Sequence, residues 1–345
     1  MGYRERIYEG LTGKYKGLNN GFDRLNKYLY GLQRKYYYLI GGQSGTGKTT
    51  LANYILLSAL ADAETQGIPI DVFYYSYEID EETTKSNWLS TIIFQKHKVV
   101  IPPEVIAGLG DNRLTEEQLM IVDAELPYLE SLFTRINFRF EAENPTGIRN
   151  ELVEHANKVG KFITEAYGTE GKRRTVGYIP DNQERYTIIL MDHMALMKHE
   201  RGFTLKENID KYSEYCIWLR NMCGFTFINI QQFNQGLNSI ERQKFKDVDV
   251  SPQQNDFKDS SNPYTDSDCA IGVMNAYKMD MKTCQGYDLT LIKDNFRLVK
   301  LIKNRKGADN ISIGMWYMPV SGTFTELPPI GTEKLAKMYE KLKNR

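Results

Sequence analysis

The chain has 345 residues and 41% hydrophobic content, enough for one large α/β domain or two small ones, which excludes disorder as the default. Lysine plus arginine equals aspartate plus glutamate at 44 each, so no global positive field marks it for nucleic acid, and such binding must rest on local charge. No run of eighteen apolar residues occurs, and Met1-Gly2-Tyr3-Arg4-Glu5-Arg6 lacks the apolar stretch of a signal peptide, so a soluble intracellular protein without membrane contact is expected.

In chain order, hydrophobic periodicity predicts a strand at Tyr36–Ile40, a helix over 49–63, a strand at Val72–Tyr77 and a helix over 81–94. A strand near 136–140, a helix from Pro145, a strand at Thr187–Met191, a helix over 205–223 and a strand at 225–230 continue the alternation. Apolar strands separated by helices predict a mostly parallel sheet covered on both faces. Strands near 270–274, 298–303 and 311–317, with no long helix between them, are expected to extend the sheet edge. Three segments read as loops or insertions: 99–114 with Pro102 and Pro103, the polar stretch 167–185, and 235–265 with Pro252 and Pro263. The last is long enough to be functional. Cys216, Cys223, Cys269 and Cys284 form no CxxC pair, so they read as packing residues rather than a disulfide or zinc framework.

The strongest motif is Gly42-Gln43-Ser44-Gly45-Thr46-Gly47-Lys48-Thr49, followed by Thr50, after an apolar strand and at the start of a helix. It matches GxxxxGK[ST]: glycines let the backbone N–H groups turn inward, the helix N-terminus adds positive potential, Lys48 would reach the outer phosphates and Thr49 would offer its hydroxyl to magnesium. A carboxylate for the metal shell is expected at a neighbouring strand end, and Thr187-Ile188-Ile189-Leu190-Met191-Asp192 supplies Asp192. His193 and His199 flank that end without a matching ligand pair and read as surface or packing histidines. Glu78 follows a strand and is the candidate to orient and polarise water; a helix-start acid beside Asp80, Glu81 and Glu82 is the plainer reading. In the stretch Phe227–Asn234, where a polar group closes that strand, Gln232 is the candidate γ-phosphate sensor. Lys303 and Arg305 stand two apart after a strand, as a solvated charge cluster or as a finger acting on a neighbour's nucleotide.

Taken in this order, the pieces resemble the C-terminal motor domain of DnaB-type replicative helicases, over roughly residues 17–327. Leu18-Asn19-Asn20-Gly21-Phe22-Asp23-Arg24-Leu25 is similar to the family's "TGF..LD" entry, Ser76-Tyr77-Glu78-Ile79 to its "SLEM", and Gln231-Gln232-Phe233-Asn234-Gln235 to "SQLNR". Phe257-Lys258-Asp259-Ser260-Ser261 with Thr265-Asp266-Ser267-Asp268 resembles "LREsG…QDAD", and Lys303-Asn304-Arg305-Lys306-Gly307 resembles "KnRnG". The resemblance implies a RecA-like P-loop fold with ATP and Mg2+ as cofactors. It implies Glu78 as catalytic base, Gln232 as sensor, and Lys303 and Arg305 reaching the neighbouring subunit's γ-phosphate. It also implies a homo-oligomer, expected to be a hexamer, that moves on single-stranded DNA during replication, with primase or a loader protein as partner.

Two departures qualify it. Only about sixteen residues precede Gly17, so a compact, phage- or plasmid-like form without the family's N-terminal domain is expected, cytoplasmic in a bacterial cell or in the host. The candidate DNA-binding loop, 235–268, carries Lys258, Asp259 and Ser261 where the family has Arg, Glu and Gly, keeping the charges but losing glycine's freedom; Lys244 and Lys246 are its other candidate phosphate contacts. The expected layout is a linker segment over 1–16 with Tyr3, Ile7, Tyr8 and Leu11 at helical spacing, a motor over 17–330 with an insertion at 160–186, and a helical tail over 331–345. Two competing readings are an ATPase of RecA, RadA or KaiC type that forms filaments or switch rings without unwinding, and a loader or packaging accessory that binds ATP without useful turnover.

Overall fold

A computed structural model describes residues 2–13, 15–167, 172–234 and 250–344. In chain order the strands are β1 (Tyr37–Gly42), β2 (Ile70–Ser76), β3 (Ile136–Arg139), β4 (Gly160–Tyr167), β5 (Lys172–Pro180), β6 (Tyr186–Asp192), β7 (Thr226–Gln232), β8 (Cys269–Met274), β9 (Thr283–Cys284), β10 (Tyr287–Asp288), β11 (Phe296–Asn304), β12 (Ile311–Met318) and β13 (Thr323–Glu326). The helices are α1 (Tyr3–Leu11), α2 (Asp23–Leu29), α3 (Lys48–Gln66), α4 (Glu81–His97), α5 (Pro103–Ile106), α6 (Glu116–Arg135), α7 (Pro145–Lys158), α8 (Leu205–Cys223), α9 (Asn262–Asp266), α10 (Leu289–Ile292) and α11 (Glu333–Lys343). Among the described residues, no helix is long and apolar enough to cross a membrane.

Nine strands form one sheet in the order β13-β12-β11-β8-β1-β7-β6-β2-β3. From β8 to β3 every pairing is parallel, whereas β11, β12 and β13 are added antiparallel at one edge. The expected mostly parallel α/β sheet is therefore present, with the late strands at its edge. All six residues of β1 are buried, as a central parallel strand covered on both faces requires. Successive residues point to opposite faces: Tyr38 and Ile40 join the core under α3, α4 and α6, while Tyr37 and Leu39 join the core under α7 and α8. A third cluster at the antiparallel end packs Phe296 and Leu298 with Leu335 of α11.

Local chemistry explains most boundaries. Asp80 caps α4 by accepting from the Thr83 N–H at 2.8 Å, and Thr204 and Glu207 form a reciprocal capping box on α8, whose end is set by Gly224 in the left-handed region. The four cysteines are buried in the packed interior. Several segments differ from the sequence reading. Residues 116–135, given no element there, form the 20-residue helix α6 behind a Thr115–Gln118 capping box. The stretch 99–114 contains the short α5. The polar stretch 167–185 is not a plain loop: β4 and β5 pair antiparallel as a hairpin whose Phe162 stacks on Trp218 of α8.

Gly41 shows how tightly the sheet is backed. A Cβ added there would collide with the rings of Phe233 and Phe257, which meet edge to face at 4.9 Å and cover the end of β1. Gly41→Ala should therefore lower stability by about 1–3 kcal/mol through overpacking, read as a lower urea midpoint with an unchanged m-value.

Candidate active site at the carboxyl edge of the sheet

The loop after β1 turns on two residues that only glycine serves easily: Gly45 has φ 71° and Gly47 φ 92°. The Thr46 hydroxyl donates to the Gln43 carbonyl at 2.8 Å, and the Lys48 ammonium donates to the same oxygen at 2.9 Å. The lysine is thus folded back under the loop, and burial lowers its pKa against the opposing pull of Asp192 and Glu78. Behind the loop, the buried Arg297 of β11 donates its Nε–H to the Thr46 carbonyl at 3.0 Å. Among the other candidate cofactor residues, Ser44 is exposed and Thr50 half-buried on the first turn of α3.

Register brings the remaining groups to the same edge. Gly42 pairs with Gln232 at the end of β7, and Ser76 pairs with Asp192 at the end of β6. The Thr49 hydroxyl donates to Asp192 Oδ1 at 3.1 Å, while Asp192 Oδ2 is buried without a hydrogen-bond partner. Burial pushes the Asp192 carboxyl up to about 7, with the Thr49 bond opposing the rise and the Glu78 charge adding to it. Glu78 lies just beyond β2, exposed; the Tyr77 N–H donates to the Asp192 carbonyl at 3.0 Å and the Ser76 hydroxyl to the Ile79 carbonyl at 2.9 Å, which holds this turn beside Asp192. Lys48, Thr49, Glu78, Asp192 and Gln232 therefore lie at one edge of the sheet.

His193 and His199 separate here. His199 is exposed, but His193 is half-buried against this cluster, within the fields of Lys48, Glu78 and Asp259 and beside Gln232. His193 is thus a packing histidine rather than a surface one: it directly follows Asp192, and its Nδ1 accepts from the Ala195 N–H at 3.1 Å. Arg297 and Gln231 were missed. The Gln231 side-chain N–H groups donate to the carbonyls of Lys258 and Ser260, and the Lys258 N–H donates to the Gln232 carbonyl at 3.0 Å. Nothing in the setting of Arg297 marks it, and Gln231 stands in the quoted Gln231–Gln235 stretch without a role of its own, because the partners of both come from elsewhere in the chain.

Lys258 and Asp259 thus stand at the base of the candidate DNA-binding loop, in contact with the end of β7, and pair with each other at 3.9 Å. Ser261 has φ −89°, which a serine adopts without strain, and Asp259 takes the left-handed conformation, at φ 70°. Lys244 and Lys246 lie outside the described residues. Lys303 and Arg305 are at the opposite edge. Lys303 donates to the carbonyls of Tyr264 at 2.6 Å and Thr265 at 2.9 Å, and its pKa is lowered to about 8 by burial and by Arg305. The Arg305 guanidinium donates to the Thr265 carbonyl at 2.9 Å and faces Asp268, whose carboxylate also accepts from the Tyr37 N–H at the start of β1.

The raised Asp192 pKa gives a signed expectation. Between about pH 4 and 7 the folded chain holds a proton that the unfolded chain has released, so this carboxyl's contribution to stability is lost as pH rises through that window. Without divalent cations, wild type should lose about 2–4 kcal/mol relative to Asp192→Asn between about pH 5 and 8, read from urea unfolding at each pH. Parallel profiles would refute the shift.

No protein-family model matches the chain, and no curated protein matches it. Among solved structures, an isolated ATPase domain superposes with a TM-score of 0.67 at 15% identity, covering 94% of this chain and 97% of that one. A DnaB-like replicative helicase, solved in a study of its interactions with primase, superposes with a TM-score of 0.66 at 15% identity, covering 94% of this chain and 68% of that one. The chain therefore has the RecA-like α/β fold of a DnaB-type helicase motor domain.

Proposed function

We propose that this chain is the motor subunit of a ring-shaped helicase that couples ATP hydrolysis to movement along single-stranded DNA in replication. The observation that carries this reading is the division of its cations between the two edges of the sheet. Lys48 lies beyond Gly42, the last residue of β1, whereas Arg305 is bonded through Asp268 to Tyr37, the first. Five residue steps of strand separate those levels by about 17 Å. Lys303 and Arg305 are too far from their own loop to act there, and a head-to-tail ring would bring them to a neighbour's loop.

The donor set fits ATP with Mg2+. A buried carboxylate with one unpartnered oxygen, beside a threonine hydroxyl, is an oxygen site of the kind a hard divalent cation takes, and Lys48 under a glycine-turned loop suits phosphate. When bound, the metal ion neutralises charge on the phosphate oxygens. Thr49 and Asp192 would hold it, and residues 42–50 would cradle the phosphates. Glu78 would orient the attacking water and take its proton, and Gln232 would sense the terminal phosphate. Lys303 and Arg305 of the next subunit would stabilise the charge that builds on that phosphate.

The clamp of Gln231 and Gln232 on residues 258–260 supplies a path from nucleotide to DNA. Lys258 and Asp259, with Ser261, Lys244 and Lys246, would follow the phosphate backbone without reading bases, so movement would be sequence-independent and salt-sensitive. A hexamer is the proposed assembly. The exposed Tyr3, Ile7, Tyr8 and Leu11 of α1 would dock this 1–16 segment on the next subunit's motor, 17–330, with 331–345 as a tail and a primase or loader as outside partner.

Strand displacement on forked DNA tests the reading. Wild type should unwind; Arg305→Ala should lose about 10³-fold or more in ATP turnover while still binding nucleotide. Lys48→Ala subunits mixed into wild type should suppress unwinding more than in proportion to their share. ATP turnover without unwinding at low salt, on either tail polarity, would sink the helicase reading, and extended filaments in electron micrographs would favour the recombinase-like alternative.

A further inference from the structure

We infer that Asp268 is a positioning residue that holds Arg305 ready for a neighbouring subunit's nucleotide; this rests on the ring reading above. β11 pairs with β8 through Leu301 with Ile271 and then Lys303 with Ala270, so Ile302 is an extra residue in the ladder. A bulge of this kind bends its strand and re-aims the side chains beyond it. Here Lys303 and Arg305 both reach the segment 264–268 that leads into β8. The Arg305 main-chain N–H donates to the Asp268 carbonyl at 2.9 Å, and its guanidinium meets the Asp268 carboxylate at 3.4 Å and the Thr265 carbonyl at 2.9 Å.

Asp268 is itself fixed from the other side. Its Oδ2 accepts from the Tyr37 N–H at 2.9 Å and from the buried Arg220 guanidinium at 2.7 Å, which leaves Oδ1 to Arg305. The carboxylate is thus tied to β1 and α8, whereas the Arg305 side chain stays 47% exposed. Two of its nitrogens are engaged, and a guanidinium carries five N–H donors, so these contacts hold it without using it up. An arginine free in water is spread over many rotamers, and ordering it only when a phosphate arrives costs entropy. Asp268 removes that cost in advance. A cation that acts where charge builds during transfer contributes to the transition state, so loss of its aim lowers kcat and leaves nucleotide binding nearly unchanged.

Mixed assemblies separate this role from support of the fold. Asp268→Asn alone should lose about 10- to 100-fold in kcat for ATP, with KM changed by less than about threefold. Its own phosphate loop stays sound, so it needs only a neighbour with a sound cation pair, and Lys48→Ala subunits supply one. An equal mixture of Asp268→Asn and Lys48→Ala should therefore turn over ATP about threefold or more above the mean of the two alone. Arg305→Ala with Lys48→Ala should gain likewise, whereas Asp268→Asn with Arg305→Ala should gain nothing, because both fail on the same side of the interface. Full activity in Asp268→Asn, or no gain with Lys48→Ala where Arg305→Ala gives one, would overturn the inference alone. Arg220 without its carboxylate is a lone buried charge, so if Asp268→Asn does not fold, Asp268→Asn with Arg220→Gln carries the same mixtures. No gain from Arg305→Ala with Lys48→Ala overturns the ring reading and this inference together.

Discussion

Asp192 accepts the Thr49 hydroxyl with one oxygen and buries the other without a partner, so the carboxylate is held where its charge is least stable. That one contact ties the first turn of α3 to the end of β6 across an intervening strand. β7 lies between β1 and β6 in the sheet, so Gln232 necessarily ends between the phosphate loop and the carboxylate. Parallel strands place all their carboxyl ends on one edge, and ligands of open α/β sheets collect there. The cluster of Lys48, Glu78, Asp192, His193 and Gln232 is a consequence of strand order more than of any single turn.

The edge is supported from behind by groups with no direct place in the chemistry. Arg297 is almost completely buried, donates to the Thr46 carbonyl and lies over the Tyr317 ring at 4.6 Å, so the antiparallel strands act as a wall for the loop. Gly47 packs against Phe324 and Tyr317 of the same wall. A loop held this closely has its backbone N–H groups oriented before any ligand arrives, which removes an ordering cost from binding.

The far edge is organised by Asp268. Its carboxylate accepts from the Tyr37 N–H at 2.9 Å and from the Arg220 guanidinium at 2.7 Å, and faces Arg305. Residues 264–268 therefore join the start of β1 to the cations that follow β11, while residues 257–260 join the end of β7 to the base of the candidate DNA-binding loop. One segment, which includes the short helix α9, runs between the two edges of the sheet. Lys258 and Ser260 at one end are joined through a short length of chain to the carbonyls that hold Lys303 at the other.

Much was legible before the fold. The phosphate loop, the apolar run ending in Asp192, and the alternation of strands and helices are local patterns, and local patterns survive in sequence because each depends on a few adjacent residues. Helix α6 escaped because Pro127 interrupts its interior, and the β4–β5 hairpin because its polar strands expose most of their residues. By itself the sequence determined the loop that turns on glycines, the carboxylate at a strand end and the cation pair at 303 and 305. Only tertiary structure decided that His193 faces inward, that Gln231 clamps residues 258 and 260, that Arg297 buttresses Thr46, and that Arg305 lies at the opposite edge from Lys48. Those relations join residues far apart in the chain, and strand order and register, which no local pattern encodes, bring them within bonding distance or keep them apart.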